Sequence, residues 1–428
     1  MKKAITILLG LLTISASAQD FESATTAAQN ITLGWNLGNT LDSNSGDVDN
    51  MWIEMWTDRT PTAYETAWGQ PVTTPELIKM FKDAGFNAIR LPVTWYPHID
   101  DNGTIDETWM ARVKEVVDYV IDEDMYCIVN VHHDTGSSTT HWVIADGTTY
   151  DNVKTKWEAL WTNIATTFRD YGERLIFEAY NEMLDSYNSW CFASFATSNY
   201  YDATVAADAY DALNNYAQSF VDAVRATCGN NATRNLIVNT YAAASGEGTW
   251  SSHLTEPLTN LQIPTDEAEG HILAEVHIYP SLSSGVSSAI SSVTQSFNSI
   301  KTNLVSKGVP VIIGEWGTSG TSDDYASSPS DVCSFAGQFV AKAKEYGYPT
   351  FMWMLLSDGT DRSVPTWTTE DVKDAMVKGY YGEEGYTAIK TIVAPETQDG
   401  IYYNLMGRRV SSPSKGIYIQ NGKKIVIK

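Results

Sequence analysis

Short runs of β-branched and apolar residues recur along the chain, and most are followed by a stretch with helical spacing. Eight runs predict strands: Thr32–Leu37, Asn87–Leu91, Met125–Val131, Leu175–Tyr180, Asn235–Asn239, Ile272–Ile278, Val309–Gly314 and Thr350–Met354. Helices are predicted from Thr74 to Ala84, Glu107 to Glu123, Lys154 to Tyr171, Ala206 to Cys228, Ser287 to Val305 and Asp331 to Tyr346. Thr74-Pro75-Glu76 suits a capped helix start, and Val113, Val116, Val117, Val120 and Ile121 fall on one stripe of the second helix. Runs such as Cys127-Ile128-Val129 and Val311-Ile312-Ile313 do not alternate, which marks strands covered on both faces, as in parallel sheets. Strand and helix repeating eight times over some 350 residues predict an α/β chain closed as a (β/α)8 barrel. A doubly wound open sheet would show a glycine-rich phosphate turn after its first strand, and Gly34-Trp35-Asn36-Leu37-Gly38-Asn39 has the wrong glycine spacing for it.

The pattern changes at both ends. Lys2 and Lys3, the apolar run Ala4 to Ile14 and Ala16-Ser17-Ala18 read as an export signal cleaved after Ala18, which predicts a secreted or cell-surface protein. No other stretch reaches the ~20 apolar residues that span a bilayer. Beyond about residue 385, Thr387–Val393, Ile401–Leu405 and Ile417–Lys428 alternate as strands do, with Asn421-Gly422 as a hairpin pair. The expected division is therefore a signal over 1–18, a barrel over 19–385 and a short β-rich tail over 386–428. The 428 residues carry 28 basic against 52 acidic side chains, a formal charge of −24, which argues against nucleic acid as a partner. No oligomerisation signal changes the expectation of a monomer. The 14 Trp exceed what a core of this size needs, so binding surface is expected to use some of them. The spacing of Cys127, Cys191, Cys228 and Cys333 fits no metal knuckle; Cys127 reads as buried, and a Cys191–Cys228 bridge is one open pairing.

In a barrel of this kind chemistry gathers at the carboxyl ends of the strands. There the chain places Arg90, His132-His133-Asp134, Asn181-Glu182, His277-Ile278-Tyr279, Glu315-Trp316 and Trp353. Glu182 ends strand four and Glu315 ends strand seven, three steps apart around a ring of eight, so the two carboxylates can face each other across the mouth. Such a pair at about 5–5.5 Å serves as acid/base and nucleophile in retaining glycoside hydrolysis. Arg90 would keep a neighbouring carboxylate ionised, Asn181 would donate to a sugar 2-hydroxyl, Tyr279 would orient the nucleophile and Trp353 would offer a flat face to a pyranose ring. His132 and His133 are adjacent, and on an extended strand they would point to opposite sides and share no metal; His132 is read as a substrate hydrogen-bonding group.

These stretches resemble glycoside hydrolase family 5. The likeness rests on Gly34–Leu41 (GWNLGNTL), Gly85–Trp95 (GFNAIRLPVTW), Val129–Asp134 (VNVHHD), Phe177–Met183 (FEAYNEM), Glu275–Pro280 (EVHIYP) and Ile312–Gly317 (IIGEWG), and it covers about residues 25–385. The resemblance implies Glu182 as acid/base, Glu315 as nucleophile, and Arg90, His132, Asn181, His277, Tyr279 and Trp353 completing the sugar pocket, without metal or organic cofactor. It also implies endo-cleavage of β-1,4-linked glucan, with Trp68-Gly69-Gln70-Pro71 like the branch that also takes mixed-linkage glucan, xyloglucan, xylan or mannan. The alternative outside this class is a non-catalytic cell-surface glycan-binding protein. Two insertions, Asp47–Tyr64 and Trp190–Tyr201, depart from the pattern and are expected to shape the outer sugar sites.

Overall fold

The computed structural model describes residues 20–47, 49–136, 140–187, 201–246, 251–353 and 359–393, and beyond these the strand residues 402–403, 409–410, 416–420 and 423–427. The export signal, Cys191, Asn421-Gly422 and most of the second insertion therefore lie outside the described residues. The chain divides into a unit through Gly382 and a smaller one from Glu383.

The first unit is a closed barrel of eight parallel strands. They are β1 (Leu33–Asn36), β2 (Ala88–Leu91), β3 (Tyr126–Asn130), β4 (Leu175–Glu178), β5 (Leu236–Ala244), β6 (Ile272–Ile278), β7 (Val311–Trp316) and β8 (Thr350–Met352). β1 pairs with both β2 and β8, which closes the ring. Helices follow the strands as α1 (Pro75–Asp83), α2 (Glu107–Asp122), α3 (Gly147–Thr167), α4 (Ala203–Ala226), α5 (Glu256–Thr259), α6 (Val286–Asn303), α7 (Pro329–Tyr346) and α8 (Glu370–Val393). After β5 the helix is a single turn, α5, where a full helix would complete the repeat. Thr74 caps α1 by accepting from the Leu77 amide, with Pro75 at the first helical position. On α2 the valine stripe is buried, while Ile121 sits at its edge, half-exposed.

Two-residue periodicity builds the interior in layers. Ala88, Ile128, Ile176, Ile237, Leu273, Ile312 and Phe351, one from each of β2 to β8, form the apolar floor, which Ala24, Ala28 and Ile31 of an N-terminal helical segment cover. On β1 this layer holds Gly34, because the Phe351 ring occupies the space a Cβ would need. Two positions further along the same strands come Asn36, Arg90, Asn130, Glu178, Asn239 and Glu275, all buried. Six strands thus place a polar residue directly above the apolar floor. Register shifts modify the next level: between β6 and β7 the pairing jumps so that His277 stands opposite Glu315. That irregularity turns Glu315 to the same inner face as His277.

Several expectations need correction. Trp35, Trp95, Trp109, Trp157, Trp161 and Trp316 are fully buried, so much of the tryptophan surplus is core rather than binding surface. Trp161, for example, wedges between strand and helices, 5.9 Å from Phe177 and 4.4 Å from Phe220. Thr387–Val393 is not a strand but helical, and the Glu370–Val393 segment leaves the helical conformation at Gly382 (φ 75°, ψ 173°). The remaining tail does form a four-stranded antiparallel sheet, in which Gly416–Gln420 pairs with Lys423–Ile427. Among the described residues Cys127, Cys228 and Cys333 form no disulfide. No helix of the described residues is long and apolar enough to cross a membrane. Replacing Trp161 by Ala removes a fully buried indole and is expected to cost about 3–5 kcal/mol in urea unfolding. Activity per folded molecule is expected to stay within about twofold, since Trp161 lies behind β4 and away from the barrel mouth.

Candidate active site

Arg90 stands at the centre of the polar layer, fully buried, and every one of its five N–H groups has an acceptor. Nε and Nη2 form a fork on Glu178, at 2.6 and 2.7 Å. Nη2 also donates to Asn181 Oδ1 at 2.8 Å, and Nη1 donates to Asn36 Oδ1 at 3.0 Å and to Glu315 Oε1 at 2.8 Å. One side chain therefore registers the ends of β1, β4 and β7 against β2. Because its Oδ1 is taken by Arg90, Asn181 turns its amide nitrogen to the opposite side as a donor.

Glu315 accepts from Arg90 on one oxygen and from the Tyr279 hydroxyl on the other, at 2.6 Å. Burial alone would raise its pKa; the charges of His277 and Arg90 with these hydrogen bonds outweigh that and hold the carboxyl below its ordinary value. His277 bridges three carboxyl groups. Nδ1 lies 2.7 Å from Glu182 Oε1 and 3.5 Å from Glu315 Oε2, and Nε2 lies 3.2 Å from Glu275 Oε1. Burial opposes its charge, but Glu315, Glu182 and Glu275 prevail and push its pKa up to about 10. Glu182 and Glu315 each bring a carboxylate oxygen within 4.8 Å of the other and of the imidazole. Glu182 is the more open of the two, its side chain 29% exposed against 7% for Glu315.

The sugar-facing candidates gather around this pair. The rings of His132 and Trp353 lie parallel, 5.7 Å apart. A Cβ on Gly38 would overlap the Trp353 indole and one on Gly317 would crowd its carbonyl, so both glycines make the space in which Trp353 sits. His132 Nδ1 faces the Asn130 amide nitrogen at 3.0 Å. Burial, then the neighbouring charges of His133, Arg90 and His277, lower the His132 pKa far below its ordinary value. The ring is therefore neutral; Asn130 donates to Nδ1, so Nε2 carries the hydrogen and is a donor. All eight site residues predicted from sequence thus converge on one mouth.

Sequence reasoning missed the layer beneath them. Glu178, Asn36, Asn130 and Glu275 hold Arg90 and the histidines in place, and each is a polar residue inside an otherwise apolar strand, which was the available signal. His132 and His133 do not point to opposite sides of an extended strand. β3 ends at Asn130, the two residues lie past it, and their ring centroids are 4.5 Å apart. With Asp42 they bring three potential metal-ligating atoms within 4.8 Å. The Asp42 carboxylate and His133 Nε2 are 3.8 Å apart, and burial raises the Asp42 pKa to about 6 and lowers that of His133 to about 4. His277 offers no lone pair to a metal, since both its nitrogens face carboxyl oxygens.

Residues 52–359 match the family model described as cellulase, glycosyl hydrolase family 5. Endoglucanase A of Clostridium longisporum is 31% identical over 401 residues, covering 88% of this chain and 70% of its own length. Among solved structures, a broad-specificity GH5-4 endoglucanase from an uncultured bacterium is 52% identical, with a TM-score of 0.80, and covers 85% of this chain and 97% of its own. A family 5 enzyme from Prevotella bryantii B14, solved in complex with a xyloglucan tetradecasaccharide, is 42% identical with a TM-score of 0.73, and covers 84% of this chain and 99% of its own.

The opposed shifts of His277 and Glu315 set a pH dependence. The Glu315 pKa is depressed, so its contribution is present above 4.5 and lost as pH falls. The His277 pKa is raised, so its contribution is complete below 6.5 and lost as pH rises towards about 10. The Tm advantage of the wild type over His277→Gln is therefore expected to be largest between about pH 4.5 and 6.5 and to shrink steadily above it. Scanning calorimetry of the two proteins across pH measures this difference.

Proposed function

Because the chain belongs to glycosyl hydrolase family 5, we propose that it is an exported endo-β-1,4-glucanase that cleaves internal linkages with retention of anomeric configuration. The observation that carries this reading is the approach of the Glu182 and Glu315 carboxylates to within 4.8 Å. Retaining pairs stand about 5–5.5 Å apart, whereas inverting pairs leave roughly 6.5–9.5 Å for a water. Glu315, kept ionised by Arg90 and His277, attacks the anomeric carbon while Glu182 protonates the departing glycosidic oxygen. Glu182 then takes a proton from water, whose oxygen replaces Glu315 at the anomeric carbon. Tyr279 holds the nucleophile's second oxygen, Asn181 donates to the sugar 2-hydroxyl, His132 donates from Nε2, and Trp353 underlies the ring.

Substrate breadth is part of the proposal. The related broad-specificity endoglucanase and the xyloglucan complex support a glucan backbone, with mixed-linkage glucan and xyloglucan accepted beside cellulose-like chains. Mannan and xylan remain the same-family alternatives. The wholly non-catalytic glycan-binding reading explains neither the charge on His277 nor the facing carboxylates. Export rests on the Lys2 to Ala18 pattern and leads the protein to the cell surface or beyond it.

Removing the acid/base with Glu182→Ala is expected to lower kcat on carboxymethyl cellulose by about 10²–10⁴-fold. Glu315→Ala is expected to lower it at least as far, with circular dichroism unchanged in both. Reducing-sugar release on soluble cellulose, barley glucan, xyloglucan, glucomannan and xylan ranks the backbones, and glucan chains are expected to lead. Proton NMR of the first product is expected to show the β-anomer; an α-anomer would remove the covalent step.

A further inference from the structure

Besides Glu182, three carboxyl groups, Glu178, Glu275 and Glu315, surround Arg90 and His277, and they are not equivalently served. Glu178 receives four donors: Arg90 Nε and Nη2, the Asn130 amide at 3.0 Å and the Asn239 amide at 3.4 Å. Glu315 receives Arg90, Tyr279 and the flank of the His277 ring. Glu275 receives one, His277 Nε2 on its Oε1. Arg90 Nε lies 3.3 Å from that same oxygen, yet its single hydrogen is committed to Glu178 at 2.6 Å. Glu275 Oε2 is buried with no protein donor at all. A buried carboxylate anion served by one donor is costly, and a group in that position takes up a proton instead.

The neighbouring strand supplies the matching acceptor. Asn239 on β5 is the register partner of Glu275 on β6, and its buried Oδ1 also lacks a donor. These are two orphan acceptors at paired register positions, and a hydrogen on Oε2 shared with Oδ1 would satisfy both. The local charge count agrees. Arg90 and His277 supply two positive charges, which Glu178 and Glu315 balance before any proton leaves Glu182. When Glu315 becomes the glycosyl ester and Glu182 the carboxylate, the balance is the same. A third permanent anion would upset it at both stages.

We propose that Glu275 is a positioning residue that works as a neutral carboxylic acid: its Oε2–H is donated towards Asn239 and its Oε1 accepts the Nε2–H of His277. This fixes the imidazole with Nδ1 facing Glu182 throughout the reaction. When Glu182 gives its proton to the leaving oxygen, Nδ1–H remains hydrogen-bonded to the carboxylate so formed. Gly314 is part of the device, because a Cβ there would overlap the Glu275 carboxyl. Burial first, then the charge of Glu178, push the Glu275 pKa up to about 7, with Arg90 and His277 pulling the other way. The groups facing it are thus Arg90 of β2, Glu178 of β4, Asn239 of β5 and His277 of β6, with Glu182 and Glu315 beyond the imidazole.

Glutamine is the shape of the neutral acid without its titration, so Glu275→Gln decides the matter in two ways. In thermal unfolding, the Tm of the variant minus that of the wild type is expected to climb between about pH 4.5 and about pH 7 and to level off above, because a raised carboxyl pKa loses stability as pH rises through it. A difference that is flat over that window, or that moves in the wild type's favour, means an ionised Glu275 and overturns the proposal. In turnover at about pH 6, Glu275→Gln is expected to keep kcat/KM within about threefold, while Glu275→Leu, which offers Nε2–H no acceptor, lowers kcat about tenfold with KM little changed. Equal losses in the two variants would show that charge, not hydrogen bonding, is what the residue supplies, and would also overturn it. The turnover arm rests on Glu182 as the acid/base; the unfolding arm does not, so failure of that assignment leaves a distinct signature.

Discussion

A guanidinium with no free N–H is the constraint on which this barrel's mouth depends. Arg90 is sealed from solvent, and a buried cation of that size persists only when its charge and all its donors are matched. The match requires oxygen atoms from β1, from the end of β4 and the turn after it, and from β7, at fixed positions around one planar group. Removing one partner of such a cluster leaves a buried charge uncompensated, at about 3–5 kcal/mol. Removing Arg90 itself would leave Glu178 without its cation and Glu315 with His277 alone. The geometry of the carboxyl groups at the mouth and the stability of the upper barrel are therefore set by the same bonds.

Around that hub the histidines divide by environment. His277 is surrounded by carboxyl groups and is driven towards the charged form. His132, equally buried but flanked by Arg90 and two other imidazoles, is driven to the neutral one. The same residue type thus supplies a cation beside the proposed acid/base and a neutral donor beside Trp353. Neither depends on the ring itself; both follow from the sign of the nearest charges when water is excluded.

Much of this arrangement is legible in the sequence because parallel strands covered on both faces must be continuously apolar, and eight such runs stand out. Strand ends are legible for the same reason: polarity resumes where the strand leaves the packed layer, as at His132 and Asn181. What escapes is polarity inside a strand. Glu178 and Glu275 interrupt apolar runs at the one face that points into the barrel, and only three-dimensional closure shows that six such positions meet. Glu315 reaches the inner face through a register shift that no periodicity announces. Thr387–Val393 misleads because its β-branched residues favour a strand, a weak preference that the helical segment following Gly382 overrides. Trp161 and its fellows mislead because indoles fill the wide gap between strands and helices as well as they hold sugars.

Asn36 joins the two extremes of the barrel. Its amide donates to the carbonyls of Gly314 and Phe351, 278 and 315 positions further along the chain. Its oxygen meanwhile receives Arg90. During synthesis, then, no partial chain can hold a finished catalytic pocket: until the eighth strand has emerged, the first has nothing to close against, and Arg90 lacks a fixed seat. Assembly of the pocket coincides with ring closure, so the growing polypeptide stays chemically silent until its fold is essentially complete.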